Sequence, residues 1–150
     1  MVLVETATDG SLDSLTFVSL NSDRGGTVLF LPNTTVLTEP EPGRETLDEA
    51  YESEMPVIDR AQQEVAREVG RRLNVGIDEV VAVDDRSLAQ LVEPVGSVPI
   101  DNPDQLTLDD GTRFPTGPIS LTPEQVGPYL GKMRQGEDQL SQFARHELVW

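Results

Sequence analysis

The chain has 150 residues, of which 37% are apolar. That is enough for one domain with a core, and no apolar run approaches the roughly 20 residues of a membrane span. The formal charge of −16 repels nucleic acid and anionic lipid headgroups, so no nucleic-acid partner is expected. With no cysteine and a single histidine, His146, disulfides, a cysteine nucleophile and multi-histidine zinc sites are excluded. The opening MVLVETATDG is too polar and too short for a signal peptide.

The opening segment alternates only weakly. Leu15-Thr16-Phe17-Val18-Ser19-Leu20 alternates cleanly and predicts a strand. Asn21 to Gly26 is a turn, and Thr27 to Leu31 returns antiparallel as a hairpin. The stretch LFLPNTTVL, residues 29–37, runs from strand end into a polar turn, where α/β folds place their chemistry. Pro40, Pro42 and Gly43 mark an exposed loop.

Residues 57–73 predict the best helix. Ile58, Ala61, Val65, Val69 and Leu73 form one apolar stripe, with Arg60, Glu64, Arg67, Glu68 and Arg71 facing away. Asn74-Val75-Gly76 ends it. Val80 to Val83 is a short apolar strand, and Asp84-Asp85 caps a helix over 87–92. Val98-Pro99-Ile100 reads as an edge strand because of its proline. Leu106–Leu108 and Thr112–Phe114 flank Asp109-Asp110-Gly111 as a small hairpin.

Thr122-Pro123-Glu124 starts a helix that Gly127-Pro128 weakens or kinks. A last helix spans Asp138 to Trp150, with Leu140, Phe143 and Leu148 inward and His146 on its surface or half-buried. Helices alternating with strands and hairpins predict an α/β fold, with a central mixed β-sheet flanked by helices in three layers.

No GxGxxG, Walker, HExxH or GxSxG motif is present. The Asn33-Thr34-Thr35 sequon and the Asp101–Asp104 acidic run have no supporting context. The order of five stretches nevertheless resembles the LytR-CpsA-Psr family of bacterial envelope proteins. They are Leu12-Asp13-Ser14-Leu15 into VSLN; LFLPNT; Glu45 to Tyr51; LNVGIDEVVAVD with SLAQLVEPVGSVPID; and LDDGTRFPTGPISLTPEQVGPYL. The family counterparts include an S-D-T-M entry to the first strand, S-I-P-R-D, K-I-N-A-A-Y and a final G-D-x-x-R-x-x-R-Q. The resemblance spans roughly residues 12–146.

The resemblance implies an extracytoplasmic phosphotransferase that attaches polyprenyl-pyrophosphate-linked glycopolymers to peptidoglycan. Arginines and an Asp-bound magnesium hold the pyrophosphate there, because a breaking phosphoanhydride needs its charge neutralised. This chain departs from that pattern. The family's arginine and aspartate after Pro32 fall at Asn33 and Thr34, and the arginine before the first aspartate falls at Ser11 or Leu12. The arginine after the family tyrosine falls at Gly131, and those of the last helix fall at Ser141 and Ala144. Asp13 is the one retained family acid and the one metal ligand that the resemblance supplies. Lys132, Arg134 and Arg145 lie nearby but off register, and one residue along a helix turns a side chain by about 100°.

The expectation is a catalytically degenerate domain that binds or scaffolds in cell-wall glycopolymer assembly, with no cofactor. It would be part of a longer protein that touches the membrane through an anchor. A polyprenyl lipid or glycolipid would lie against Leu15, Phe17, Val28, Phe30, Val65, Val69, Val81, Val126, Leu130 and Phe143. Envelope proteins are the other expected partners. Two alternatives stay open. One is an active magnesium-dependent enzyme using Asp13 with Arg134 and Lys132. The other is a protein-interaction domain in which the ten apolar residues form a closed core.

Overall fold

The computed structural model describes residues 1–7, 9–21 and 25–149. Within it the chain forms two compact units, Met1–Val83 and the part from Asp84 on. The α/β class holds, with a mixed four-stranded sheet in the first unit and five α-helices along the described chain.

The sheet of the first unit consists of β1 (Val2–Thr6), β2 (Leu12–Asn21), β3 (Gly25–Pro32) and β6 (Val80–Val83), in the order β3-β2-β1-β6. As expected, β2 and β3 are antiparallel, in a register that sets Leu15 opposite Leu31 and Val18 opposite Val28. The middle of their predicted turn, 22–24, lies outside the described residues. β1 is an inner strand, antiparallel to β2 and parallel to β6. Its alternation is weak in sequence because Val2, Leu3 and Val4 are all buried, and a strand covered on both faces has no polar side to show.

One face of this sheet carries Val2, Val4, Leu15 and Leu31 into a core shared with α1 (Leu47–Glu54) and α2 (Ile58–Leu73). α1 has its own start signal. Thr46 accepts a hydrogen bond from the Glu49 amide, while the Glu49 carboxylate accepts from the Thr46 amide. Its buried side, Leu47, Ala50 and Tyr51, has the spacing of one helix face.

On α2, Ala61, Val65 and Val69 are buried as predicted, and Leu73 packs at the core margin. Ile58 is not part of the stripe, being 51% exposed. The helix has 16 residues, about 24 Å of length. The strands beneath it, β1 and β6, have five and four residues, about 17 and 13 Å, so the first turn outruns them. Ile58→Asp is therefore expected to change unfolding free energy by no more than about 0.5 kcal/mol. A thermal melt shifted by many degrees would show that the first turn is packed. Asn74, in the left-handed region at φ 52°, ends α2.

The predicted loop at Pro40–Gly43 is a hairpin between β4 (Val36–Glu41) and β5 (Arg44–Thr46). It pairs only at Val36 with Thr46 and at Glu41 with Arg44. Prolines 40 and 42 have no N–H to offer a ladder, so the strands touch at their ends.

The second unit begins with α3 (Asp85–Val92), capped as predicted. Asp84 accepts from the Ser87 amide at 2.7 Å. β7 (Val98–Asn102) pairs antiparallel with β10 (Gly117–Leu121), a strand the sequence reading does not contain. β8 (Leu106–Thr107) and β9 (Arg113–Phe114) form the expected small hairpin. Their core contains Leu88, Ile100, Leu106, Phe114, Leu121, Val126, Tyr129 and Leu130.

α4 (Pro123–Gly131) is not broken at Gly127-Pro128. Pro128 only removes the amide that would bond Glu124. Gly127 serves packing: a β-carbon there would lie 2.9 Å from the Cα of Asp85, so glycine is what lets α3 and α4 approach. α5 (Gln139–Val149) also differs from expectation. Leu140 is 70% exposed and Leu148 is exposed too, while Gln142, Phe143, Arg145 and His146 are buried. His146 is thus an interior residue and not a surface one. Trp150 lies outside the described residues.

Candidate functional site

The polar interior of the second unit is the most elaborate side-chain arrangement in the chain. It rests on α5, whose inward positions follow a spacing of three and then one. The Arg145 guanidinium, 1% exposed, is paired with Glu137 and also donates to the carbonyl of Lys132. It lies 6.0 Å from the ring centre of Tyr129, within reach of a cation–π contact. Burial pushes the Tyr129 hydroxyl up, with the Arg145 charge opposing, so the phenol stays protonated. It donates to Asn102 Oδ1 at 2.9 Å.

Asn102 in turn donates to the Pro115 carbonyl at 2.7 Å. Gln142 donates to the Leu130 carbonyl at 2.7 Å, which satisfies an orphan acceptor near the α4 C-terminus. Phe114 and Tyr129 meet edge to face with ring centres 5.2 Å apart. The result is a buried polar network in which an arginine, a tyrosine, an asparagine and a glutamine all have partners.

Lys132 and Arg134 lie at the margin of this network. Lys132 Nζ is 2.5 Å from Asp109 Oδ1, and an Arg134 guanidinium nitrogen is 2.9 Å from Asp104 Oδ2. The Arg134 amide donates to Glu137. Each of the three cations in this stretch therefore faces a carboxylate of its own.

The catalytic positions implied by the resemblance divide between the units. Asp13, Ser11, Asn33 and Thr34 belong to the first, and Gly131, Ser141 and Ala144 to the second. Asp13 is half-buried near the start of β2. Ser11 is engaged by Asp9, donating its amide at 3.0 Å and its hydroxyl at 2.6 Å. These bonds hold the Asp9 carboxyl below its ordinary range.

Asn33 braces the strand end. Its amide donates to the Leu12 carbonyl at 2.9 Å, and its own carbonyl accepts from Asp48 at the start of α1. The polar turn after LFLP is thus a structural hinge-pin between β2, β3 and α1. Thr34 is exposed beside it. Gly131 is exposed at the end of α4. Ser141 and Ala144 are exposed on α5. The side chains that α5 turns inward are those one residue later, Gln142 and Arg145, with His146. That set, Gln142, Arg145 and His146, has i, i+3, i+4 spacing along the helix.

The ten apolar residues expected to wall one lipid site do not share one face. Leu15 and Phe17 pair across β3 with Leu31 and Leu29, whereas Phe30 and Val28 pair with Thr16 and Val18. Cross-strand partners point the same way and sequence neighbours point oppositely. Phe30, Val28 and, through Leu3, Val81 therefore lie on the face opposite Leu15 and Phe17. Ser14 and Thr16 share that opposite face and donate to the Glu5 carboxylate at 2.6 and 2.7 Å.

Leu15, Val65 and Val69 fill the first core, and Val126 and Leu130 the second. Phe143 is buried on α5, and Val28 is 41% exposed. Two open grooves are described, both along α2, and none of the ten residues lines either. Among the described residues no three His, Asp or Glu side chains gather to hold a metal.

No protein-family profile and no curated protein matches the sequence. Solved structures do match its fold. TagV of Bacillus subtilis aligns over 99% of this chain with a TM-score of 0.72 and 23% identity. The fold is shared with TagV. A protein of Enterococcus faecalis described as a transcriptional regulator aligns with a TM-score of 0.75 and 19% identity, again over 99% of this chain. TagT, solved bound to LIIa-WTA, aligns over 99% of this chain with a TM-score of 0.71 and 16% identity. The chain spans 61% of the TagV chain, 54% of the E. faecalis one and 58% of that TagT chain. TagV and TagT are LytR-CpsA-Psr proteins, so the fold that the resemblance implied is the fold found.

Proposed function

We propose that this chain is a catalytically degenerate domain of the LytR-CpsA-Psr kind that binds or scaffolds during cell-wall glycopolymer assembly. The place proposed for it is outside the cytoplasmic membrane, tethered through an anchor in the full-length protein. Its proposed partner is an envelope glycolipid or protein. The supporting observation is the one-to-one pairing of Lys132, Arg134 and Arg145 with Asp109, Asp104 and Glu137.

A phosphoanhydride site needs several donors aimed at phosphate oxygens, and removing one such donor alone costs about a hundredfold in rate. Arg145 is committed to the interior. Releasing it would leave Glu137 buried and unpaired, at a cost of about 3–5 kcal/mol. Lys132 and Arg134 are held by part-exposed pairs, each worth about 0–1 kcal/mol, so these are the two a ligand can compete for. Asn33, in place of an arginine, spends its donors on the Leu12 carbonyl.

Calorimetric titration with magnesium pyrophosphate tests the reading. The Lys132→Gln, Arg134→Gln double variant is expected to bind as the unaltered protein does. A loss of affinity of about tenfold or more would show that the two cations form a clamp.

A further inference from the structure

β3 is one edge of the four-stranded sheet, and among the described residues β2 is the one strand it pairs with. The direction of its main-chain groups follows from its neighbours. The Met1 ammonium donates to the Val18 carbonyl at 2.9 Å, and the Val18 amide donates to the Met1 carbonyl at 3.0 Å. Val18 therefore turns both main-chain groups toward the β1 side and away from β3. Its cross-strand partner Val28 then belongs to a non-hydrogen-bonded pair, with its own N–H and C=O pointing out from the sheet edge. The β2–β3 register runs without a shift, so Gly26 and Phe30 point theirs the same way. Pro32 is next in that alternation and has no N–H, which ends the row.

Sheet edges are ordinarily blunted by charge, proline or a bulge. From Gly25 to Leu31 this edge has none of the three, and no residue from Gly25 to Leu37 carries a charge. Residues Gly25 to Leu29 are exposed. Leu20, which faces Gly26 across the ladder, is 81% exposed. In a chain of net charge −16 this selects the partner. A basic segment finds no carboxylate on the edge to attract it. A second copy is repelled by most of the acidic surface, and meets here a strand as uncharged as its own.

We propose that the β3 edges of two copies pair antiparallel across a two-fold axis at Val28, joining two four-stranded sheets into one. In that register Val28 exchanges both main-chain bonds with Val28 of the second copy, and Gly26 lies opposite Phe30. An axis at Thr27 would carry Phe30 past Gly25, the first residue of the strand. An axis at Leu29 would set Gly26 opposite Pro32, which has no N–H to give. With the axis at Val28, Thr27 and Leu29 meet across one face of the joined sheet and the two Val28 side chains across the other. Gly26 has no side chain, so Leu20 looks over it to the added strand. The inference uses the β3 edge alone and holds whether or not the proposed function does.

Sedimentation velocity of the whole chain over a concentration series tests it. The mass is expected to rise from monomer to dimer with concentration. The dimer should be tighter at about 1 M salt than at about 0.01 M, because salt screens the repulsion between two acidic copies. Val28→Pro deletes an outward N–H that β2 does not use, and is expected to weaken the dimer about tenfold or more with the circular dichroism unchanged. Val28→Lys sets like charges together at the axis and is expected to weaken it similarly; it decides the matter if Val28→Pro fails to fold. Val28→Cys gives this cysteine-free chain a single thiol. The paired Cα atoms at the axis are about 5.5 Å apart, within disulfide reach, so mild oxidation should yield a covalent dimer. Leu20→Cys should not, since the two Leu20 positions lie at opposite ends of the pairing. A dimer unaltered in Val28→Pro and Val28→Lys, or a crosslinking yield for Val28→Cys no greater than for Leu20→Cys, overturns the proposal. A monomer at every concentration and salt also overturns it, and leaves the edge to a foreign strand.

Discussion

Val65→Asp is expected to abolish cooperative folding of the first unit. Val65 is 0% exposed and packs between α2 and the sheet in the core that holds Val2, Val4, Leu15 and Tyr51. The substitution removes an apolar side chain whose burial is worth about 1.5–3 kcal/mol. It also places a carboxylate where no cation or donor replaces water, a further cost of several kcal/mol. Together these match the whole stability of a typical domain, about 5–15 kcal/mol. Urea unfolding of Val65→Asp should show no native baseline, while Val65→Ala unfolds cooperatively at a lower midpoint. A Val65→Asp protein with a near-native midpoint would mean that α2 does not cover the sheet as described.

Glu137→Ala is the second large effect, expected to destabilise the second unit by about 3–5 kcal/mol. Glu137 neutralises Arg145, whose guanidinium is enclosed by Tyr129 and the Lys132 carbonyl. Removing the acid leaves a buried cation with one carbonyl for company. Adding Arg145→Met to Glu137→Ala removes that charge and keeps most of the volume, so it should recover much of the loss. A single variant costing under about 1 kcal/mol would show the pair to be surface-like.

These two sites differ in how far the sequence disclosed them. Val65 was legible because α2 repeats its apolar residues every three or four positions over four turns. Ile58 carries the same spacing and is exposed, since periodicity says which face is apolar but not how far the surface beneath extends. Arg145 was illegible by the same rule, because α5 buries polar residues and exposes Leu140 and Leu148. A helix whose inward face holds Gln142, Arg145 and His146 is inverted relative to the amphipathic pattern. Gln142 and Arg145 find hydrogen-bond partners inside, and the His146 ring meets Phe143 edge to face.

The hairpin around LFLPNTTVL was legible in outline, yet the role of Asn33 was not. Its bond to the Leu12 carbonyl joins positions 21 residues apart, and no local pattern announces it. The ten apolar residues were expected to wall a lipid site or to fill a closed core, and Leu15, Val65, Val69, Val126, Leu130 and Phe143 are buried while Val28 is 41% exposed. Their division between two sheet faces follows from the β2–β3 register, which single-strand alternation does not specify.

The central claim is that this fold persists here without turnover. Its most direct test is incubation of the purified protein with magnesium and a short-chain polyprenyl-pyrophosphate-linked sugar, with cleavage of the phosphoanhydride followed over time. The account predicts a rate equal to that of the protein-free control. Magnesium-dependent cleavage that disappears in Asp13→Ala would contradict it.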